Sequence, residues 1–386
     1  MKLIIEPGDG VGPLLAGIAH AKKSVEIAIF RCDRRDIEIA LKAAAAAKRV
    51  GVTAVIAFAN RGGEQNLRRL EARFLDTGIV VARSASDLNR YHGKYILIDR
   101  RVLYVLSFNF THLDIGHSRG FGIVTTSPNW IREAVRLFEA DCTHTPYVQA
   151  KKTDTFVVSP TNSRRVLGAF LRGAKTQLLI YDPKISDTEM LRTLHERAKA
   201  GVEIKIIGSV AGRAGFDVQK LGGTRLHTRT IIRDRRQAFV GSQSLRKAEL
   251  DLRREVGLIV RDAGVVKKLI DTFESDWTST STRKALSSPR ETDMAEAKPT
   301  AAPGEVSVSD KDAQKAVQIL TKELDPLAAS VKKAVRIAVA KVGDAVLSDR
   351  DVKDTMKKVV KKAVKDAVKE AVKDAVDEAQ AARAGV

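Results

Sequence analysis

Two stretches of the sequence place an imidazole two residues before a cation, with an acid five residues further on: His92, Lys94 and Asp99, then His227, Arg229 and Asp234. Eight residues after each acid comes a serine, Ser107 or Ser242, and two residues later Asn109 or Ser244. On a strand, residues i and i+2 share a face, so each histidine and its cation point the same way. Doubled and brought together, they make a pocket of two imidazoles and two cations. Such a pocket suits a phosphodiester: the cations neutralise phosphoryl oxygens, one imidazole attacks phosphorus, and the other protonates the departing oxygen. Asp99 and Asp234 lie past the strand ends and need not meet the same ligand. This chemistry calls for no cofactor and no metal, and the pattern offers no set of carboxylates to hold one.

The two stretches are copies of one another. A shift of 135 residues puts Asp99 on Asp234, Ser107 on Ser242, Arg119 on Arg254, Gly122 on Gly257, Phe138 on Phe273 and Asp141 on Asp276. Further upstream the shift grows to 150, with Gly51 on Gly201, so the second copy is about 15 residues shorter there. Each copy reads β-α-β and then a hairpin. In the first, Pro13 opens a helix, Val25–Phe30 and Val52–Phe58 are apolar strands, and Ile37–Lys48 is a strong helix former. Tyr95–Ile98 and Val102–Phe108 flank a turn at Asp99-Arg100-Arg101, and Asn129–Ala140 closes the copy as a helix. The second repeats this with Leu178–Tyr181, Thr188–Ala200, Val202–Ile207, Thr230–Ile232 and Gln237–Val240. The expected fold class is therefore α/β, each half with a largely parallel central sheet. The halves, 1–150 and 151–277, are expected in a pseudo-twofold arrangement with equivalent residues facing each other.

Composition separates this duplication from the C-terminal residues. All 19 aromatic residues lie at or before Trp277, and a core without aromatics lacks much of its usual buried area. Residues 278–310, rich in Ser, Thr, Ala, Pro and Gly, read as a flexible linker. Residues 311–386 read as an amphipathic Ala/Val/Lys-rich helical tail whose four-residue repeat winds its apolar stripe slowly round the helix. Of the net charge of +20, about +18 falls on residues 1–285, an excess that attracts polyanions. No apolar run is long enough to span a membrane, and the N-terminal apolar stretch is too short for a signal peptide. Two cysteines, Cys32 and Cys142, make no disulfide framework, so a cytoplasmic location is expected, with peripheral membrane contact through the tail a further option. His112 and His117 lack counterparts in the second copy and read as loop or surface residues.

The repeated motif resembles the HKD motif of the phospholipase D superfamily, over about residues 1–277. His92-Gly-Lys94-Tyr-Ile-Leu-Ile-Asp99 with Ser107-Phe-Asn109 matches fully. His227-Thr-Arg229-Thr-Ile-Ile-Arg-Asp234 with Gly241-Ser242-Gln-Ser244 and Glu255 matches with Arg for Lys and Ser for Asn. The resemblance is nearest to bacterial phospholipase D-like and cardiolipin synthase-like proteins. It implies a duplicated β/α fold and a ping-pong mechanism in which one motif histidine becomes a phosphohistidine. By position, His92 is the expected nucleophile and His227 the acid. A glutamate downstream of the motif often orients a histidine in this family; Glu255 is expected to serve His227, while the matching Gly120 leaves His92 needing another partner, such as Asp114 or a backbone carbonyl. If orientation decides nucleophilicity, the two roles swap. The implied substrate is an anionic phospholipid or another phosphodiester. Nucleic acid is the second substrate class, and a phosphate-binding protein without turnover is a third reading.

Overall fold

The computed structural model describes residues 1–47, 50–59, 64–150, 154–212 and 215–287. Residues Met1–Pro289 form one compact unit. The tail expected at 311–386, and the linker beyond residue 287, lie outside the described residues.

The first half runs β1 (Lys2–Glu6), α1 (Gly12–Ala19), β2 (Ser24–Ile29), α2 (Arg35–Ala46), β3 (Gly51–Ile56), α3 (Glu64–Leu75), β4 (Val80–Arg83), β5 (Arg90–Tyr91), β6 (Tyr95–Ile98), β7 (Val102–Leu106), α4 (His112–His117), β8 (Ser118–Thr125) and α5 (Pro128–Thr143). The second runs β9 (Phe156–Ser159), α6 (Ser163–Arg172), β10 (Gln177–Ile185), α7 (Thr188–Lys199), β11 (Glu203–Val210), β12 (Asp217–Gln219), β13 (Arg225–Leu226), β14 (Arg229–Arg233), β15 (Gln237–Gly241), α8 (Lys247–Asp251), β16 (Arg253–Val260) and α9 (Ala263–Ser287). The 135-residue shift carries β5 onto β13, β7 onto β15, β8 onto β16 and the start of α5 onto that of α9.

Each half builds one sheet, ordered β1-β8-β7-β6-β2-β3-β4 and β12-β11-β10-β14-β15-β16-β5. The sheets are mixed rather than largely parallel. Parallel pairing is confined mainly to β2-β3-β4 and β10-β11-β12, with helices making the crossovers except between β11 and β12, which a short segment joins. The hairpins β6-β7 and β14-β15 pair antiparallel across tight turns, and each continues antiparallel into β8 or β16 after a short helix. The α9 helix continues to Ser287, through the first ten residues expected to be linker. There Thr278, Ser279 and Thr280 donate their hydroxyls to the carbonyls of Glu274, Ser275 and Asp276, which lets a Ser/Thr run stay helical.

The two halves are locked together in two ways. A single apolar core crosses between them, with Tyr181 of the second half packed edge-on against Phe121 of the first and against Phe273 of α9. The short strands are also exchanged. β5, just before His92, pairs with β16 of the second sheet, and β13, just before His227, pairs with β8 of the first. Arg119 of β8 holds Asp276 of α9 at 2.8 Å, and its copy Arg254 of β16 holds Asp141 of α5 at 3.0 Å.

Candidate active site

The exchange sets the histidines. The His92 amide donates to the Arg254 carbonyl at 2.7 Å, and the His227 amide to the Arg119 carbonyl at 3.2 Å, so each motif enters the site tethered to the other half. Two residues on, Lys94 Nζ donates to the His92 carbonyl at 2.8 Å, and Arg229 Nη1 likewise donates to the His227 carbonyl. Both imidazoles line one cavity of about 340 Å³ together with Phe30, Asn109, Asp114 and Arg229. The histidine side chains are only 5% and 8% exposed.

The helper carboxylates come from opposite halves, which corrects the expected pairing. Glu255 Oε2 is hydrogen-bonded to His92 Nδ1 at 2.7 Å instead of serving His227. Asp114 lies 3.6 Å from His227 Nε2 instead of serving His92. The reason is the exchange itself: once β5 adds to β16, His92 sits beside Glu255 on that strand. At the copy-one position of Glu255, Gly120, a Cβ would come within 2.9 Å of the Phe108 ring, so that ring fills the space a side chain would need.

Burial dominates the electrostatics. It holds both imidazoles well below the ordinary histidine range, and the neighbouring Lys94 and Arg229 cations push the same way. It lowers the Lys94 ammonium to about 7. Burial, then the nearby Glu249 carboxylate, raises Glu255 to about 8. His227 Nδ1, Arg229 Nε and Asn109 Oδ1 are buried polar atoms with no hydrogen-bond partner among the described residues. Such atoms are rare in a core, and here they cluster on residues that line one cavity.

The remaining motif residues divide between site and scaffold. Asn109 lines the cavity and donates Nδ2 to Asp114 at 2.6 Å. Ser244 donates to Asp182 at 2.7 Å instead, beneath the site. Ser107 and Ser242 are fully buried and accept the Phe121 and Val256 amides, tying the hairpin to the next strand. Asp99 and Asp234 do not reach the cavity. Each sits in the hairpin turn at positive φ and accepts three successive backbone amides, Lys22–Ser24 for Asp99 and Lys175–Gln177 for Asp234. Sequence reasoning missed Glu249, which caps the Ser244 amide at 2.8 Å. It also missed Arg90 and Arg225, which line the cavity mouth. All three were open to the 135-residue shift: Glu249 is the copy of Asp114, and Arg225 of Arg90. Among the described residues, no group of three or more His, Cys, Asp or Glu side chains is arranged to hold a metal ion.

The duplicated mixed-sheet fold thus brings one histidine from each half to a shared cavity, with Lys94 buried behind His92 and Arg229 in the cavity lining. The family model described as "Cardiolipin synthase, PLD-like domain" matches residues 14–142 and 167–277, and the chain belongs to this phospholipase D-like family. Among solved structures it is similar to polyphosphate kinase from Porphyromonas gingivalis, at 20% identity and a TM-score of 0.60 over 71% of this chain. The chain spans about half of that kinase, 49% of its length. It is also similar to phosphatidylserine synthase from Haemophilus influenzae, at 9% identity and a TM-score of 0.55, over 72% of this chain and 86% of that one. Nuc from Salmonella typhimurium matches at 22% identity and a TM-score of 0.34, over 39% of this chain and 97% of that one. No curated protein sequence matches the chain.

Proposed function

We propose that the chain cleaves or transfers a phosphodiester without a metal, through a covalent phosphohistidine on His92. The observation that carries this reading is the 2.7 Å contact of His92 Nδ1 with Glu255, beside a second imidazole and Arg229 at one cavity and with Lys94 bonded to the His92 carbonyl. In its ionised form Glu255 accepts a hydrogen bond from the His92 Nδ1–H, which leaves the Nε2 lone pair free for attack. His92 Nε2 bonds to phosphorus as the bond from phosphorus to the leaving oxygen breaks, and His227, protonated once the anionic phosphate enters beside Asp114, which favours its charged form, gives that oxygen its proton. Glu255 offsets the positive charge that builds on the phosphorylated ring. His227, now neutral, takes a proton from water or an alcohol, whose oxygen attacks phosphorus. The P–N bond breaks and His92 is restored. Lys94 and Arg229 compensate charge on the phosphoryl oxygens, Arg229 as a planar fork and Lys94 as a compact ammonium.

The two substrate classes differ in what they need beside the phosphate. Acyl chains need an apolar groove, whereas a nucleic-acid strand needs a track of cations. The cavity lining carries Arg31, Arg90, Arg225 and Arg229 against Asp33 and Asp114. This lining, with the basic excess on residues 1–285, favours nucleic acid over phospholipid. The family model's description and the phosphatidylserine synthase likeness support phospholipid as the second reading.

The test incubates the full chain, with chelator, with labelled single-stranded DNA, and separately with phosphatidylglycerol vesicles plus a primary alcohol. The expected result is chelator-resistant cleavage of the strand, lost in His92→Ala, with an acid-labile label trapped on His92. A phosphatidyl-alcohol product instead would establish the lipid reading. Turnover of neither substrate would overturn the proposed chemistry.

A further inference from the structure

The exchanged strands bring a second matched pair to the cavity besides the histidines. Arg90 stands two residues before His92 on β5, and Arg225 two residues before His227 on β13. The pairs are copies under the 135-residue shift, and all four residues line the cavity. At a strand rise of about 3.3 Å per residue, each arginine lies about 7 Å along the chain from its histidine, on the same face. The cavity lining therefore holds two imidazoles and, two residues upstream of each along the chain, a guanidinium.

The two arginines are held differently. The Arg225 guanidinium is braced by Asp114 at 2.6 Å and Ser118 at 3.1 Å, and its side chain stays 45% exposed. Arg90 lies over the Phe30 ring, 5.3 Å from its centroid, with no carboxylate or hydrogen-bond partner among the described residues. Burial and its cationic neighbours Arg253 and Arg31 disfavour its charge, offset in part by Glu255 and Glu249. An anion at the mouth would favour that charge. The histidines are buried, so a substrate must bring a phosphate into a cavity of about 340 Å³. An unpaired strand can bend a phosphate inward, whereas base pairing fixes the phosphates of a duplex on its rim.

Resting on the phosphohistidine reading, we propose that Arg90 and Arg225 hold the phosphates on either side of the scissile one. The substrate is then a single strand of nucleic acid with phosphates at three successive positions, rather than an isolated diester. An ester with one phosphate fills only the centre and leaves both guanidinium groups unused.

The experiment measures kcat/KM of the full chain, with chelator, on bis(p-nitrophenyl) phosphate and on single-stranded oligonucleotides with a single cleavable linkage. These carry a native or a methylphosphonate linkage, which is uncharged, on either side of the cleavable one. Neutralising either flanking phosphate is expected to lower kcat/KM roughly tenfold or more, the scale of a charge-assisted contact. Arg90→Gln and Arg225→Gln should each lose that dependence on one side only, and each should reduce the salt slope of strand binding by about 0.7. Arg225→Lys, which keeps the charge, should retain the slope. The methylphosphonate arm needs no variant, so it answers even if Arg225→Gln, which uncovers Asp114, fails to fold. Cleavage indifferent to both flanking charges, with His92→Ala still inactive, would overturn the subsites and leave the phosphohistidine reading standing. Cleavage that survives His92→Ala would overturn that reading instead. Chelator-resistant turnover of phospholipid vesicles with no action on strands would overturn the nucleic-acid assignment.

Discussion

At the scale of single residues, the two histidines occupy equivalent positions but have unequal surroundings. His92 is pinned through Nδ1 by Glu255, whereas His227 meets Asp114 at 3.6 Å. Position and orientation thus both support the proposal that His92 is the nucleophile. Removing His92 should abolish turnover of any phosphodiester, a loss of at least ~10²–10⁴. A p-nitrophenolate departs without a proton, so His227→Ala should lose much less on bis(p-nitrophenyl) phosphate than on an oligonucleotide. Equal losses on both substrates would cancel the assignment. Lys94 gives a pH test. Burial holds its ammonium down at about 7, so the cation is present below that pH and disappears as pH rises through it. Sulfate, which stays fully ionised, should bind progressively more weakly above about pH 7 in titration calorimetry. Lys94→Arg carries a guanidinium that keeps its charge, and its sulfate affinity should hold to higher pH.

At the scale of elements, the motif acids work on the fold. Asp99 gathers the amides that start β2, and Asp234 those that start β10. Asp99→Ala strands those amides and puts alanine at a positive φ. The expected cost is about 1–3 kcal/mol, read as several degrees of melting temperature, with the pH profile of turnover unchanged in shape. Arg254 is nearly buried against Asp141. Arg254→Ala should cost about 3–5 kcal/mol by leaving that carboxylate unpaired, and replacing both residues with apolar ones should recover most of the loss. Strand and helix positions were legible in the sequence because the apolar runs Val25–Phe30 and Tyr95–Ile98 and the turn at Asp99 have strong local signals. The pairing of Glu255 with His92 was not legible. It depends on which sheet the two-residue strand β5 joins, and nothing in Arg90-Tyr91 itself encodes that choice. Arg119, Asp141, Arg254 and Asp276 were visible as repeats, but their crosswise partnering comes only from the same exchange.

At the scale of the whole molecule, every residue assigned to the cavity lies before residue 256, within the compact unit Met1–Pro289. A chain ended after residue 287 should therefore melt like the full chain and cleave the same oligonucleotide; loss of cleavage would assign part of the site to the C-terminal residues. No described helix is long and apolar enough to cross a membrane. The exchanged strands also bear on how the protein is made. His92 leaves the ribosome 163 residues ahead of Glu255. At ordinary elongation rates that is an interval of roughly 10–30 s. On the proposed mechanism, the nascent first half carries through that interval a nucleophile without the carboxylate that aims it or the imidazole that completes it. Activity would then arise only when the second half has been synthesised and has docked.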